Sequence, residues 1–163
     1  MFSKKIDFLA IGDITTDAFI RLKEASIVCD ADHEHCSLCI RYADKIPYEF
    51  AEIIRAVGNA PTAAVSAARL GLCVGLVSNL GADRNGKECL ETLRSENVGR
   101  KLITVHKKVD TNYHYVLWYE ADRTILIKHE KYPYVLPNIG TPRWIYLSSL
   151  GENTLPYHDQ IAD

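Results

Sequence analysis

The chain has 163 residues, 47% of them hydrophobic and 25% charged, with a formal net charge of -2. One domain of that size buries roughly 70% of its unfolded surface, so a real core is expected and a disordered, collagenous or coiled-coil chain is excluded. The near-neutral balance offers no broad basic surface for nucleic acid, and no apolar run reaches the ~20 residues that a membrane helix needs. Lys4 and Lys5 precede too short an apolar stretch for a signal peptide, which sets a cytoplasmic expectation. Five cysteines, an odd number without an export signal, are expected as reduced thiols.

In chain order, the run FLAI at 8–11 predicts a buried strand that delivers Gly12 and Asp13 to a loop. A second strand is expected at 17–22 and a third at 38–42, with a polar, broken stretch between them and a turn around Pro47. Gly58 and Asn59 read as a loop. Pro61 suits the first turn of a helix, where its missing N–H is not needed. Ala63, Ala64, Ala67, Ala68 and Leu70 then recur at helical spacing, and Gly71 ends the helix. A buried strand follows at 72–80, a turn at 81–83, and an amphipathic helix at 85–96 with Cys89, Leu90 and Leu93 inward. Another strand is read at 102–105. Residues 112–119 and 124–129 alternate with period 2 and read as a hairpin, and 144–148 reads as the last strand. The final residues before Asp163 look like the start of a further helix. Strands alternating with helices predict an α/β fold with a parallel sheet, and the early strands and hairpin a smaller side sheet.

Three patterns suggest other chemistry and are set aside. GADRNGKE at 81–88 has the spacing of a phosphate loop, but Glu88 stands where a metal-holding Ser or Thr belongs, and a carboxylate there repels phosphate. CDADHEHCSLC at 29–39 carries Cys29, His33, His35, Cys36 and Cys39 at near zinc spacing. It has no second Cys-x-x-Cys, and on a strand Cys36 and Cys39 point to opposite faces, so a solvated loop and no metal site is expected. Ser148, Ser149 and His158 resemble pieces of a hydrolase triad without a nucleophile elbow. His114 and His129, on the predicted hairpin, are expected as surface or packed residues.

Residues 57–86, VGNAPTAAVSAARLGLCVGLVSNLGADRNG, resemble the first signature of the ribokinase-like (pfkB) sugar and nucleoside kinases. In that family a Gly-Gly loop opens an Ala-rich helix ending in Arg-Leu-Gly, then a strand and a Gly-x-Asp-x-x-Gly turn. The matching positions are Gly58, Ala60, Ala64, Arg69, Leu70, Gly71, Gly81, Asp83 and Gly86; Gly12 followed by Asp17 also fits. Val57, Thr62 and Thr15 depart from the family's Gly, Asn and Asn.

The resemblance implies the front half of a ribokinase-like sandwich, spanning 1–163, with a small β-sheet lid from segments near 17–42 and 109–130. It implies ATP and Mg2+ for the intact enzyme, with phosphate passed to a hydroxyl of a sugar or nucleoside. Asp17, Gly58, Asn59, Thr62, Asp13 and Thr15 are the implied acceptor-binding residues. A carboxylate can accept two hydrogen bonds from neighbouring hydroxyls, and a glycine lets backbone approach a polyol. The family's base and anion hole lie in a second motif, Asp-Thr-x-Gly-Ala-Gly-Asp. Here the only Gly-Asp pair is Gly12-Asp13. No catalytic residue is therefore assigned in this chain, and neither tight nucleotide binding nor activity is expected of it alone. The end at Asp163 reads as a cut through a fold, leaving apolar faces that favour self-association, and a homodimer through the lid is the expected assembly. The other reading is a non-catalytic binding or assembly module that uses the Tyr- and Trp-rich hairpin as an interface.

Overall fold

The computed structural model describes residues 5–32, 34–152 and 154–163. It divides into two units: Met1–Thr16, Arg55–Tyr113 and Lys128–Asp163 form the first, Asp17–Ile54 and His114–Ile127 the second. The elements in order are β1 (Phe8–Ile11), β2 (Thr15–Leu22), β3 (Ser26–Cys29), β4 (Cys36–Cys39), β5 (Tyr48–Val57), α1 (Asn59–Arg69), β6 (Val74–Gly81), α2 (Arg84–Ser95), β7 (Ile103–His106), β8 (Tyr113–Tyr119), β9 (Asp122–Leu126), β10 (Trp144–Leu147) and α3 (Leu155–Ala162).

The first unit is built on a parallel sheet in the order β10-β1-β6-β7. All eight residues of β6 are buried, as a central parallel strand covered on both faces requires. On one face the small side chains of α1 (Ala60, Ala64 and Ala67) lie in the same core as Ala10, Leu76 and Leu80, together with Cys89 and Leu93 of α2. The approach is so close that a Cβ on Gly12 would come within 2.9 Å of the Ala60 Cβ. On the other face Leu9, Ile11 and Val77 pack with Tyr157 and Ile161 of α3. From β1 the chain adds β6 and then β7 on one side, and returns to add β10 on the other. The order therefore reverses at β1, and loops at the carboxyl ends of β1 and β10 flank that reversal, where open α/β sheets bind ligands.

The second unit holds a sheet in the order β5-β2-β8-β9 and a two-stranded sheet, β3-β4. In the β8–β9 hairpin Trp118 stands opposite Arg123, and the link is only Glu120 and Ala121, shorter than the sequence pattern implies. Strand β5 has no counterpart in the sequence reading. Glu49, Glu52 and Arg55 interrupt its apolar pattern, and most of the strand is exposed.

The cysteine expectation is corrected. In the antiparallel β3–β4 ladder Cys29 stands directly opposite Cys36, with Cα atoms 4.0 Å apart, and the two form a disulfide. Cys39 is an exposed thiol and Cys89 a buried one, while Cys73 is only half-buried. His33, named with the zinc-spaced cysteines, lies outside the described residues. Among the described residues no three His, Cys, Asp or Glu side chains could hold a metal ion, and no helix is long and apolar enough to cross a membrane.

Candidate acceptor site

In the first unit the residues that follow β1 meet the start of α1. Gly58 precedes the helix with φ 120°, a conformation that side chains resist. A Cβ there would also stand 2.7 Å from the Asp13 carbonyl oxygen, so the position admits only glycine. Asn59, the first helical residue, is exposed, and its Nδ2 donates to Ser149 Oγ at 2.9 Å. The Ser149 carbonyl in turn accepts from the Asp13 N–H at 3.0 Å. Ser149, set aside above as a stray triad residue, thus joins the end of β10 to the loop after β1. Thr62 is exposed in the first turn of α1, where its N–H donates to the Gly58 carbonyl. Thr15 is buried, and its hydroxyl is directed at the Asn112 carbonyl at 3.1 Å.

Asp13 is the charged centre of this group. Both its carboxylate oxygens accept from the Tyr134 hydroxyl, at 2.9 and 2.8 Å, and that hydroxyl accepts from the Gly151 N–H. Burial raises the Asp13 pKa; the Tyr134 and Gly151 hydrogen bonds and His129 oppose the rise without cancelling it. A carboxyl with a raised folded-state pKa stabilises the fold at low pH. That contribution fades as pH climbs from the unfolded value through the folded one. Asp13→Asn should therefore flatten the loss of melting temperature between mildly acidic and neutral pH. A slope as steep as that of the wild type in thermal melts would assign the pH dependence elsewhere.

The 81–88 segment is a closed turn. Asp83 caps α2 by accepting from the Gly86 N–H at 2.7 Å, and also takes bonds from the Thr111 N–H (2.9 Å) and hydroxyl (2.7 Å). The Gly81 N–H is taken by Thr111 Oγ1. Amides that a phosphate loop would present are thus engaged, and Glu88 lies against Arg55 and Arg84.

In the second unit Asp17, the third residue of β2, faces His114 of β8. Asp17 Oδ1 lies 3.4 Å from His114 Nδ1, with the side chains only 18% and 12% exposed. Burial raises the Asp17 pKa, and His114 and then Arg123 pull it back. Asp17 is thus a carboxyl on a largely buried strand face, where burial disfavours its charged form. Period 2 along β2 puts Phe19 and Arg21 on the same face. Arg21 stacks over Trp118 at 4.6 Å and donates to the Glu120 carbonyl. A cavity of about 320 Å³ opens within this unit, lined by Phe19, Phe50, Ile54, Trp118 and Arg123 among others. His114 as the neighbour of Asp17 escaped the sequence reading, as did Tyr134 as the partner of Asp13. Both pairings join strands or loops far apart in the chain.

The family model for pfkB carbohydrate kinases matches residues 31–135. The chain belongs to the pfkB carbohydrate kinase family. Solved structures share the pfkB fold. A ribokinase from Cryptococcus neoformans, in complex with ADP, is 20% identical with a TM-score of 0.67, covering 97% of this chain and 44% of its own. An Arabidopsis thaliana ribokinase complexed with ribose and ATP is 16% identical with a TM-score of 0.60, covering 76% and 36%. A Halothermothrix orenii fructokinase is 25% identical with a TM-score of 0.56, covering 77% and 38%. This chain spans less than half the length of each of these kinases. No curated protein matches it.

Proposed function

We propose that this chain supplies the acceptor-binding half of an ATP-dependent sugar or nucleoside kinase, and that it does not transfer phosphate by itself. The observation that carries the reading is Asp17, a largely buried carboxylate held beside His114 in a chain of the pfkB family. Such a group accepts hydrogen bonds from polyol hydroxyls, and His114 and Arg123 are the charges that act on it among the described residues. Gly58, Asn59, Thr62, Asp13 and Thr15 are the remaining acceptor candidates in this reading, taken from the motif. Nucleotide binding rests on family relatives, two of which hold ADP or ATP. The turn at 81–88 is closed, and the sequence holds no Gly-Ala-Gly-Asp segment. ATP and Mg2+ are therefore proposed to bind only weakly to this chain. Phosphoryl transfer depends on positioning and charge neutralisation that these residues do not supply.

Segments 17–42 and 109–130 are proposed to act as the lid and, through the Tyr- and Trp-rich hairpin with its exposed Tyr115 and Trp118, as a homodimer face. The alternative of an assembly module rests on the same apolar residues. Calorimetry against ribose, fructose, a nucleoside and ATP, with light scattering on the same sample, separates the readings. Heat on titrating a sugar or nucleoside, little with ATP, and a dimer mass are expected. Micromolar ATP affinity would end the half-site account, and a dimer silent toward every acceptor would favour the assembly module.

A further inference from the structure

The Cys29–Cys36 disulfide closes an exposed hairpin whose strands have little apolar packing to hold them. The β3–β4 ladder has four residue pairs, and among the described residues no third strand joins it. Ile27 and Val28 are 48% and 58% exposed, so the ladder buries little apolar surface. A two-stranded hairpin of this kind is marginal in water, and a covalent link that restricts its open forms carries much of its order. Cys36 is an exposed residue and Cys29 a half-buried one, so of the two Cys36 is the more open to an incoming thiolate.

The loop between the cysteines has its own clip. Asp30 Oδ1 accepts from the Glu34 and His35 N–H groups at 3.0 and 3.3 Å, Oδ2 lies 3.0 Å from His35 Nδ1, and the Asp30 N–H donates to the His35 carbonyl. These contacts do not depend on the sulfur–sulfur bond. Spanning Asp30 to His35, they would keep the strand ends near one another after reduction, so the same pair can re-form when a disulfide oxidant takes the two electrons and two protons.

The hairpin also walls a cleft. About 190 Å³ lies between it and the β8–β9 hairpin, with Ile27, Cys36 and Leu38 on one side and Leu117, Asp122 and Arg123 on the other. Arg123 is the weaker of the two charges, after His114, that act on Asp17 within the same unit. The state of the cysteine pair thus bears on the surroundings of the carboxylate on which the proposed function rests.

We propose that Cys29–Cys36 is a reversible redox modification site, whose reduction by a dithiol frees the β3–β4 hairpin and opens the cleft at Arg123. A reductant thiolate attacks Cys36 Sγ, the Sγ–Sγ bond breaks, and Cys29 leaves as a thiolate that takes a proton. The reductant's second thiol then displaces Cys36 as a thiol and leaves as a disulfide. Two electrons and two protons pass to the cysteines.

The test is hydrogen exchange on the intact chain before and after dithiothreitol, with native alkylation of the released thiols. Reduction should make Cys29 and Cys36 alkylatable and raise exchange across 26–39 by roughly ten-fold or more, as expected when a marginal hairpin loses its link. The change should extend to 117–124 and leave β6 unaltered. The Cys29→Ser/Cys36→Ser double variant should show the fast exchange with or without dithiothreitol, and Cys39→Ser should respond as the wild type does. Unchanged exchange after both cysteines are alkylated overturns the proposal, as does faster exchange in β6, which would mean general unfolding. These readouts need no acceptor, so they stand or fall apart from the kinase reading.

Discussion

Gly86→Ala is expected to destabilise the first unit by about 3 kcal/mol, the upper part of the range for forcing atoms into a packed site. By helix propensity alone the change should help, because Gly86 is the third residue of α2 and alanine is favoured there by ~1 kcal/mol. Space decides the sign. The added Cβ would sit 2.1 Å from the Gly81 carbonyl oxygen and 2.9 Å from Thr111 Oγ1. The first of these is backbone in a fully buried strand and cannot swing aside. Displacing the helix start instead breaks the three bonds that Asp83 accepts from Gly86 and Thr111. Gly71→Ala is the matched control. Its φ of 89° strains a side chain, but nothing lies within 4 Å, so a loss of only about 1 kcal/mol is expected. Urea unfolding of the two variants makes the comparison. Equal stabilities would mean that the turn is more open than its bonds indicate, and the phosphate-loop reading of 81–88 would have to be reconsidered.

The same turn carries a pH signature. Burial works against the Asp83 charge, but the bonds from Thr111 and Gly86 outweigh it and hold the carboxyl below its ordinary value. Its contribution is present above the unfolded-state pKa and is lost as pH falls through the folded one, opposite in sign to that of Asp13.

Why some of this was legible and some not follows from the range of the interactions. Strand β1, helix α1, strand β6 and helix α2 are marked by local signals: apolar runs, alanines at helical spacing, Pro61 and Gly71. Strand β5 is not, because Glu49, Glu52 and Arg55 break its apolar alternation on a strand that neighbours only β2. Strand β3 and the disulfide depend on a register that composition does not encode. Counting cysteines gave parity and compartment, whereas pairing needed to place Cys29 opposite Cys36. The site divides in the same way. Asp17 and Gly58 could be named from a motif, and for Gly58 the φ of 120° supplies an independent physical reason. The neighbours that set the chemistry, His114 for Asp17 and Tyr134 for Asp13, arrive from distant strands and loops and carry no local mark.

Asp17→Ala should reduce the affinity for the sugar or nucleoside that wild-type protein binds best by on the order of 100-fold, the loss of two hydrogen bonds to a charged acceptor. Asp17→Asn keeps one acceptor oxygen but not the charge, and about a ten-fold loss is expected. Loss of binding alone does not separate a ligand contact from a structural one, so stability is measured on the same variants. Burial raises the Asp17 pKa, which means that the charged form is disfavoured in the folded chain. The fold is favoured by that group at low pH, and the benefit is lost as pH rises from the unfolded value through the folded one. Removing the charge with Asp17→Asn should therefore leave melting at neutral pH unchanged or higher, while binding weakens. Affinity in the wild type should move the other way with pH, strengthening as Asp17 ionises, and Asp17→Asn should lose that dependence. A residue kept for packing would show the reverse pairing, with lower stability and intact affinity. Affinity unchanged in both variants would remove Asp17 from the acceptor site, and with it the observation on which the kinase reading rests.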